Sequence, residues 1–154
     1  MERVCQNTDM SQVDLETSVG YLLKQASSAL HSAMDDVLRP LGMNITRYSC
    51  LELLAQRPGM SNSELARGAF VSRQSMNVLL QSMQRDGLVT RPEHAPTGRS
   101  LPAQLTALGR ERLTTASAAV RAVEDRMNSN LDATQKATLR TLLATCVTSL
   151  TAPA

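Results

Sequence analysis

Residues 61–91 read SNSELARGAFVSRQSMNVLLQSMQRDGLVTR, and most of the architecture follows from them. Ser61 and Glu64 have the spacing of a capping box. The Ser61 hydroxyl can accept from the Glu64 backbone N–H while the Glu64 carboxylate reaches back to Ser61. A short helix carrying Leu65, Ala66 and Ala69 follows and ends near Gly68 to Phe70. A second helix opens at Ser72 and runs to about Asp86, with Gly87 at the position after the cap, where a left-handed residue commonly ends a helix. Two short helices joined by a tight turn describe a helix-turn-helix.

Placing the second helix at roughly 100° per residue separates two faces. Met76, Leu79, Leu80 and Met83 fall together and predict the side that packs on the preceding helices. Arg73, Gln74, Asn77, Gln81 and Gln84 fall on the other side, with no carboxylate among them. Amides pair bidentately with adenine and arginine with guanine, so this face suits a DNA major groove. The plainer alternative is a solvated helix face, but such faces usually mix Glu and Lys, and this one has neither. Ser61, Asn62, Ser72 and Ser75 stand at the two helix starts and complete the candidate DNA-contacting set.

Directly after this unit, the β-branched run Leu88 to Arg91 predicts a strand, and Ser100 to Thr106 predicts a second. Between them lie Pro92, Pro96, Gly98 and Arg99. A hairpin after a helix-turn-helix is a wing. Pro102 cannot donate to a ladder, so its strand is an edge strand. Pro92 and Pro96 restrict the loop. Gly98 permits a turn that projects Arg99, and a narrow minor groove attracts arginine. The competing reading of Arg99 is an ordinary exposed loop charge.

Outside this unit the chain is helical. Leu15, Val19, Leu22, Ala26, Leu30, Met34 and Val37 recur every three or four residues and predict one helix over Leu15–Leu38, stopped by Pro40. A short helix with Tyr48, Leu51, Leu54 and Ala55 precedes Pro58 and is capped by Asn44 or Thr46. Thr106 caps a long helix from about Ala107 to Asn128. Asp132 opens the last one, which runs to about Thr148, with Leu139, Leu142, Leu143, Cys146 and Leu150 on one side. The fold class is therefore mainly α with a small β-hairpin wing, a winged helix-turn-helix flanked by long helices. The divisions are a flexible tail over 1–14, a helical dimerisation region over 15–40 and 107–150, and a DNA-binding region over 41–106. Long apolar-striped helices bury their stripes against each other or against a second subunit. A symmetric dimer would set two recognition helices about one DNA turn apart on a pseudo-palindromic site.

Composition agrees with this reading. The net charge is only +2, but residues 57–112 hold eight arginines against four carboxylates, a local balance of +4. Only three residues are aromatic, so the core is built from Leu, Val, Ala and Met. Cys5, Cys50 and Cys146 are too scattered for a zinc site or a disulfide framework, and no metal or cofactor is expected. No apolar run reaches membrane-spanning length and Met1 to Ser11 is polar, so a cytoplasmic location is expected. An enzyme is not expected, because the chain has no nucleophile–base grouping and no glycine-rich phosphate loop.

The run ELA, VS, DGLV and R within residues 61–91, followed by LTALGR at 105–110, resembles the multiple-antibiotic-resistance regulator (MarR) family, from the first helix to the last. The resemblance implies a homodimeric winged-helix transcription factor, a repressor released by a small aromatic or phenolic ligand. It also implies that Ser72 to Asp86 is the recognition helix, Arg99 the wing arginine, and the first and last two helices the dimer interface. One departure stands out: Thr97 takes the place of the aspartate that usually precedes that arginine by two residues. For the effector, the resemblance points to Lys24, Ser28 and His31, which share one face of the first helix, and to Arg47 and Tyr48. The plainer reading makes Lys24 and Arg47 surface charges and His31 a structural hydrogen-bonding group. Relatives that sense peroxide carry a cysteine near the start of the first helix. Here that region is Val19 to Leu22, leaving Cys5 as the redox candidate with Cys146 as its partner. Cys50 and Cys146 are expected to be packed and inert on apolar faces. A winged-helix protein–protein adaptor is the remaining alternative.

Overall fold

The first helix, α1, spans Val19–Leu38 and begins later than its apolar period suggests. Leu15 to Thr17 lie outside it. The Asp14 carboxylate accepts from the Glu16 backbone N–H at 3.1 Å and from the Thr17 hydroxyl at 2.9 Å. Such side-chain bonds compete with helical backbone pairing, and Ser18 then caps the helix by accepting from Tyr21 N. The expected start at Leu15 is thus corrected to Val19. The computed structural model describes residues 12–92 and 102–153. Cys5, most of the expected tail, and the wing residues from 93 to 101, Arg99 among them, lie outside that range.

A single 3-10 turn at Arg39–Leu41 carries Pro40 and leads into α2, Ile45–Gln56, capped by Asn44. The Ser61 capping box forms in full and opens α3, Asn62–Gly68. Ser72 caps α4, Arg73–Arg85, and Gly87 follows its end with φ +74°. The turn between α3 and α4 holds Phe70 at φ +58°, a left-handed conformation in a side chain that is 94% exposed.

Strands β1, Val89–Thr90, and β2, Gln104–Leu105, pair antiparallel with Val89 opposite Leu105 and Thr90 opposite Gln104. Pro102 sits just before the ladder, where its missing N–H costs nothing. Thr106 then joins three elements. Its hydroxyl accepts from Gly109 N at 2.9 Å and donates to the Gly87 carbonyl at 2.6 Å, and its backbone N–H donates to the Leu88 carbonyl. That junction sets α5, Ala107–Met127, directly behind the hairpin. The last helix, α6, spans Ala133–Thr151 and starts in a second capping box, between Asp132 and Gln135.

The core is aliphatic and sulfur-rich, as the composition predicts. Leu38, Cys50, Leu51, Leu65, Met76, Leu80, Met83 and Val89 are almost wholly buried. They bring the end of α1, all of the helix-turn-helix and the base of the hairpin into one cluster. Two regions contribute little to it: α6 has no buried residue, and the first half of α1 is exposed. Leu22, Leu142, Val147 and Leu150 are therefore open to solvent in the single chain. Cys146 shares that exposure, which corrects the expectation that it is packed; its helix face has no covering element within the chain. Cys50 is buried, and burial pushes its thiol up to about 12.

Candidate nucleic-acid interface

The polar face of α4 forms because its opposite face is anchored. Met76, Leu80 and Met83 are essentially fully buried, and their spacing puts Arg73, Gln74, Asn77, Gln81 and Gln84 outward. All five are exposed. The face is about five amide or guanidinium groups along a helix of 13 residues, roughly 20 Å long at 1.5 Å per residue.

Apolar packing sets which face of α4 is turned inward, and three polar ties add directional contacts along its length. At the N-terminal end, Asn62 Nδ2 donates to the Arg73 carbonyl at 3.1 Å, so the starts of α3 and α4 are joined. In the middle, Arg91 Nη1 lies 3.5 Å from Asn77 Oδ1. At the C-terminal end, the Arg47 guanidinium on α2 forms an ion pair with Asp86, the C-cap residue of α4. Ser61 and Ser72 serve as N-caps, the Ser72 hydroxyl accepting from Ser75 N at 3.0 Å and donating to Ser75 Oγ at 2.9 Å. The structure thus gives Ser61, Asn62, Ser72 and Ser75 local bonding duties at the two helix starts. Arg73, Gln74, Asn77, Gln81 and Gln84 make up the open face.

Arg91 and Asp86 did not stand out in the sequence. Strand alternation was a usable signal for Arg91: Val89 faces the core and Thr90 faces out, so Arg91 returns toward α4. No local pattern pairs Asp86 with Arg47, which lies 39 residues away.

The five effector candidates are not brought together. Lys24, Ser28 and His31 line one shallow, open groove on α1, where His31 Nε2 stands 3.4 Å from Asp35 Oδ2. Arg47 is committed to Asp86. Tyr48, the next residue on α2, points to α5 instead. Its hydroxyl is 3.5 Å from Ser117 Oγ, which donates to Glu52 Oε2 at 3.1 Å. Burial raises the Tyr48 phenol above its ordinary range, and the guanidinium of Arg121 pulls weakly the other way. Among the described residues there is no grouping of three or more metal-ligating side chains, and no helix is long and apolar enough to cross a membrane.

Comparison with known proteins gives this geometry a family. The family model described as MarR family matches residues 41–100, from the 3-10 turn before α2 to the segment between the strands. The HTH-type transcriptional repressor Rv2887 of Mycobacterium tuberculosis is 40% identical over 128 residues, covering 83% of this chain and 92% of that protein. Crystal structures of Rv2887 superpose with TM-scores of 0.71 for its complex with DNA and 0.69 for its complex with salicylic acid. The identities are 37% and 40%; each covers 84% of this chain, and they cover 97% and 96% of the Rv2887 chain respectively. The repressor CouR bound to a 23-mer DNA duplex is more distant at 27% identity, yet its TM-score is 0.78 over 89% of this chain and 99% of its own. The fold is shared with these regulators over most of both chains, and the chain belongs to the MarR family of winged helix-turn-helix transcriptional regulators.

Proposed function

We propose that this protein is a homodimeric repressor that binds a pseudo-palindromic DNA operator through α4 and is released from it by a small aromatic acid. One observation carries the reading: α4 exposes Arg73, Gln74, Asn77 and Gln81 without a single carboxylate, on a helix anchored from behind by Met76, Leu80 and Met83. Those groups match the donor and acceptor pattern of the major groove. Arg99, in the segment between the strands, is proposed to enter the adjacent minor groove. Such a protein acts by binding rather than by catalysis, and it works in the cytoplasm where its operator is.

The second subunit follows from the uncovered apolar surface. The stripes of α1 and α6 lie on other elements than α4, and a second copy covers them while holding two α4 helices on one side of the duplex. The effector class rests on the complexes of Rv2887 with salicylic acid and p-aminosalicylic acid. In this chain the α2–α5 contact offers matching chemistry: a half-buried phenol at Tyr48, the Ser117 hydroxyl, and the Arg121 guanidinium close by to pair a carboxylate.

The test is fluorescence anisotropy on DNA from upstream of the protein's own gene, at rising salt and then with added salicylate. The reading expects sub-micromolar binding to a palindromic segment at moderate salt and a steep fall in affinity as salt rises. It also expects release by the aromatic acid. Absence of any palindrome bound in that range would overturn the repressor reading, and a shallow salt dependence would favour the protein–protein adaptor.

A further inference from the structure

We infer that Arg47 is a positioning residue for DNA recognition, acting through its ion pair with Asp86 to set the attitude of α4 from the α2 side. The inference rests on α4 being the recognition helix. Arg47 sits in the first turn of α2, and its side chain is only 18% exposed. Its guanidinium meets the Asp86 carboxylate at the C-cap of α4, the end opposite the groove-reading residues Arg73 and Gln74.

Three features indicate a geometric role rather than a simple gain in stability. A carboxylate at a helix C-terminus faces the negative end of the helix dipole, so Asp86 is unfavourable there unless a cation holds it. The Arg47 Nε is buried without a partner, a cost that a pair optimised for stability would avoid. The packing of Met76, Leu80 and Met83 fixes which face of α4 points inward, while small tilts of the helix are set by the directional polar ties at its ends. Leverage is large. With the helix about 20 Å long, a pivot of roughly 10° at its C-terminal end moves the N-terminal tip by about 3 Å, more than a base hydrogen bond tolerates.

The pair also borders a recess of about 200 Å³, with Leu41, Met43, Leu88 and Leu108 as apolar walls and Arg112 as a second cation. Asp86 pairs with Arg47 at the edge of this recess, and Arg112 lines the same recess. Because α2 packs along α5, the tie connects the reading helix to the long helices of the other half of the chain.

The experiment measures affinity for a specific palindrome and for non-specific DNA with the wild-type chain and with Arg47→Ala, Asp86→Asn, their double variant and the charge-swapped pair Arg47→Asp/Asp86→Arg. Asp86→Asn is close to isosteric and half exposed, so it is expected to preserve the fold if Arg47→Ala does not, and circular dichroism checks this. The expected result is a loss of about tenfold or more in specific affinity for each single variant, with non-specific affinity changed far less. The double variant is expected to lose no more than either single one, and the charge swap to regain most of the loss. A merely structural pair would lower the melting temperature without changing the ratio of specific to non-specific binding. An unchanged ratio, or losses that multiply in the double variant, overturns the inference. Failure of the wild-type chain itself to prefer any palindrome would instead overturn the repressor reading on which the inference rests.

Discussion

Gly109, in the first turn of α5, faces the backbone carbonyl of Leu88 so closely that a Cβ on it would lie 2.1 Å from that oxygen. The same carbonyl accepts the Thr106 backbone N–H at 3.1 Å, so it cannot move aside without unpicking the junction behind the hairpin. Gly109→Ala therefore destabilises, although alanine is the better helix former by about 1 kcal/mol. Overpacking of this kind costs roughly 1–3 kcal/mol, which in a chain of this size lowers the melting temperature by several degrees. Thermal unfolding followed by circular dichroism checks the sign: an unchanged or higher melting temperature contradicts the close approach.

Phe70 makes the opposite prediction. It holds a left-handed backbone conformation with a side chain that is almost fully exposed, so its removal forfeits little packing. Left-handed geometry costs a residue with a Cβ about 1–2 kcal/mol, and glycine escapes that cost. Phe70→Gly is expected to raise stability by about 0.5–1 kcal/mol in urea unfolding. A destabilised variant would show that the exposed ring contributes something the geometry does not reveal.

The proposed recognition face of α4 can be dissected base by base. Asn77→Ala and Gln74→Ala are expected to relax base preference, with about 1–3 kcal/mol of discrimination lost at the position each side chain reads. Arg99→Ala is expected to weaken binding to all sequences and to flatten the salt dependence. Because Arg91 donates toward Asn77 Oδ1, Arg91→Ala is expected to mimic part of the Asn77→Ala change in preference. Binding selections on randomised half-sites measure all four. Preferences unchanged in the Asn77 and Gln74 variants would assign the wrong face of α4 to DNA.

Dimerisation can be tested on α6, where Leu142 and Leu150 are exposed in the single chain. Leu142→Glu places a charge on the stripe and is expected to shift the protein to monomer in sedimentation equilibrium. Binding to a full palindrome should then fall to the level of a half-site. A variant that stays dimeric would move the interface elsewhere.

The cysteines differ in chemistry because they differ in cover. With burial raising it to about 12, the Cys50 thiol stays protonated at neutral pH and is expected to react with a thiol reagent only after unfolding, while Cys146 reacts in the folded monomer. The folded-state value is raised, so the unfolded chain releases its proton first, at about 8.5. Stability then falls by about 1.4 kcal/mol per pH unit as pH climbs from about 9 toward 12. Cys50→Ala should lose this slope relative to the parent chain, and equal alkaline slopes in the two proteins would contradict the assignment.

How far these features can be read in the sequence depends on the distance over which each is decided. Ser61 with Glu64, Ser72, Thr106 and Asp132 announce helix starts correctly because a cap and its partner lie within three or four residues. The two faces of α4 are equally legible, since one turn of helix decides them. The start of α1 is misjudged for the same local reason acting in reverse, because Asp14 bonds to Glu16 and Thr17 and withholds that turn from the helix.

Tertiary folding settles what happens across longer separations. Nothing near Arg47 marks Asp86 as its partner, and nothing near Gly109 marks the Leu88 carbonyl, because both approaches arise only when separate elements are packed. The separation of Arg47 from Tyr48 is of the same kind: adjacent on α2, they diverge by about 100° and meet different helices. The amino-acid order states which faces are apolar and where each helix begins. Packing assigns the apolar faces of the core their neighbours, and with them it brings two cations, Arg47 and Arg91, against α4.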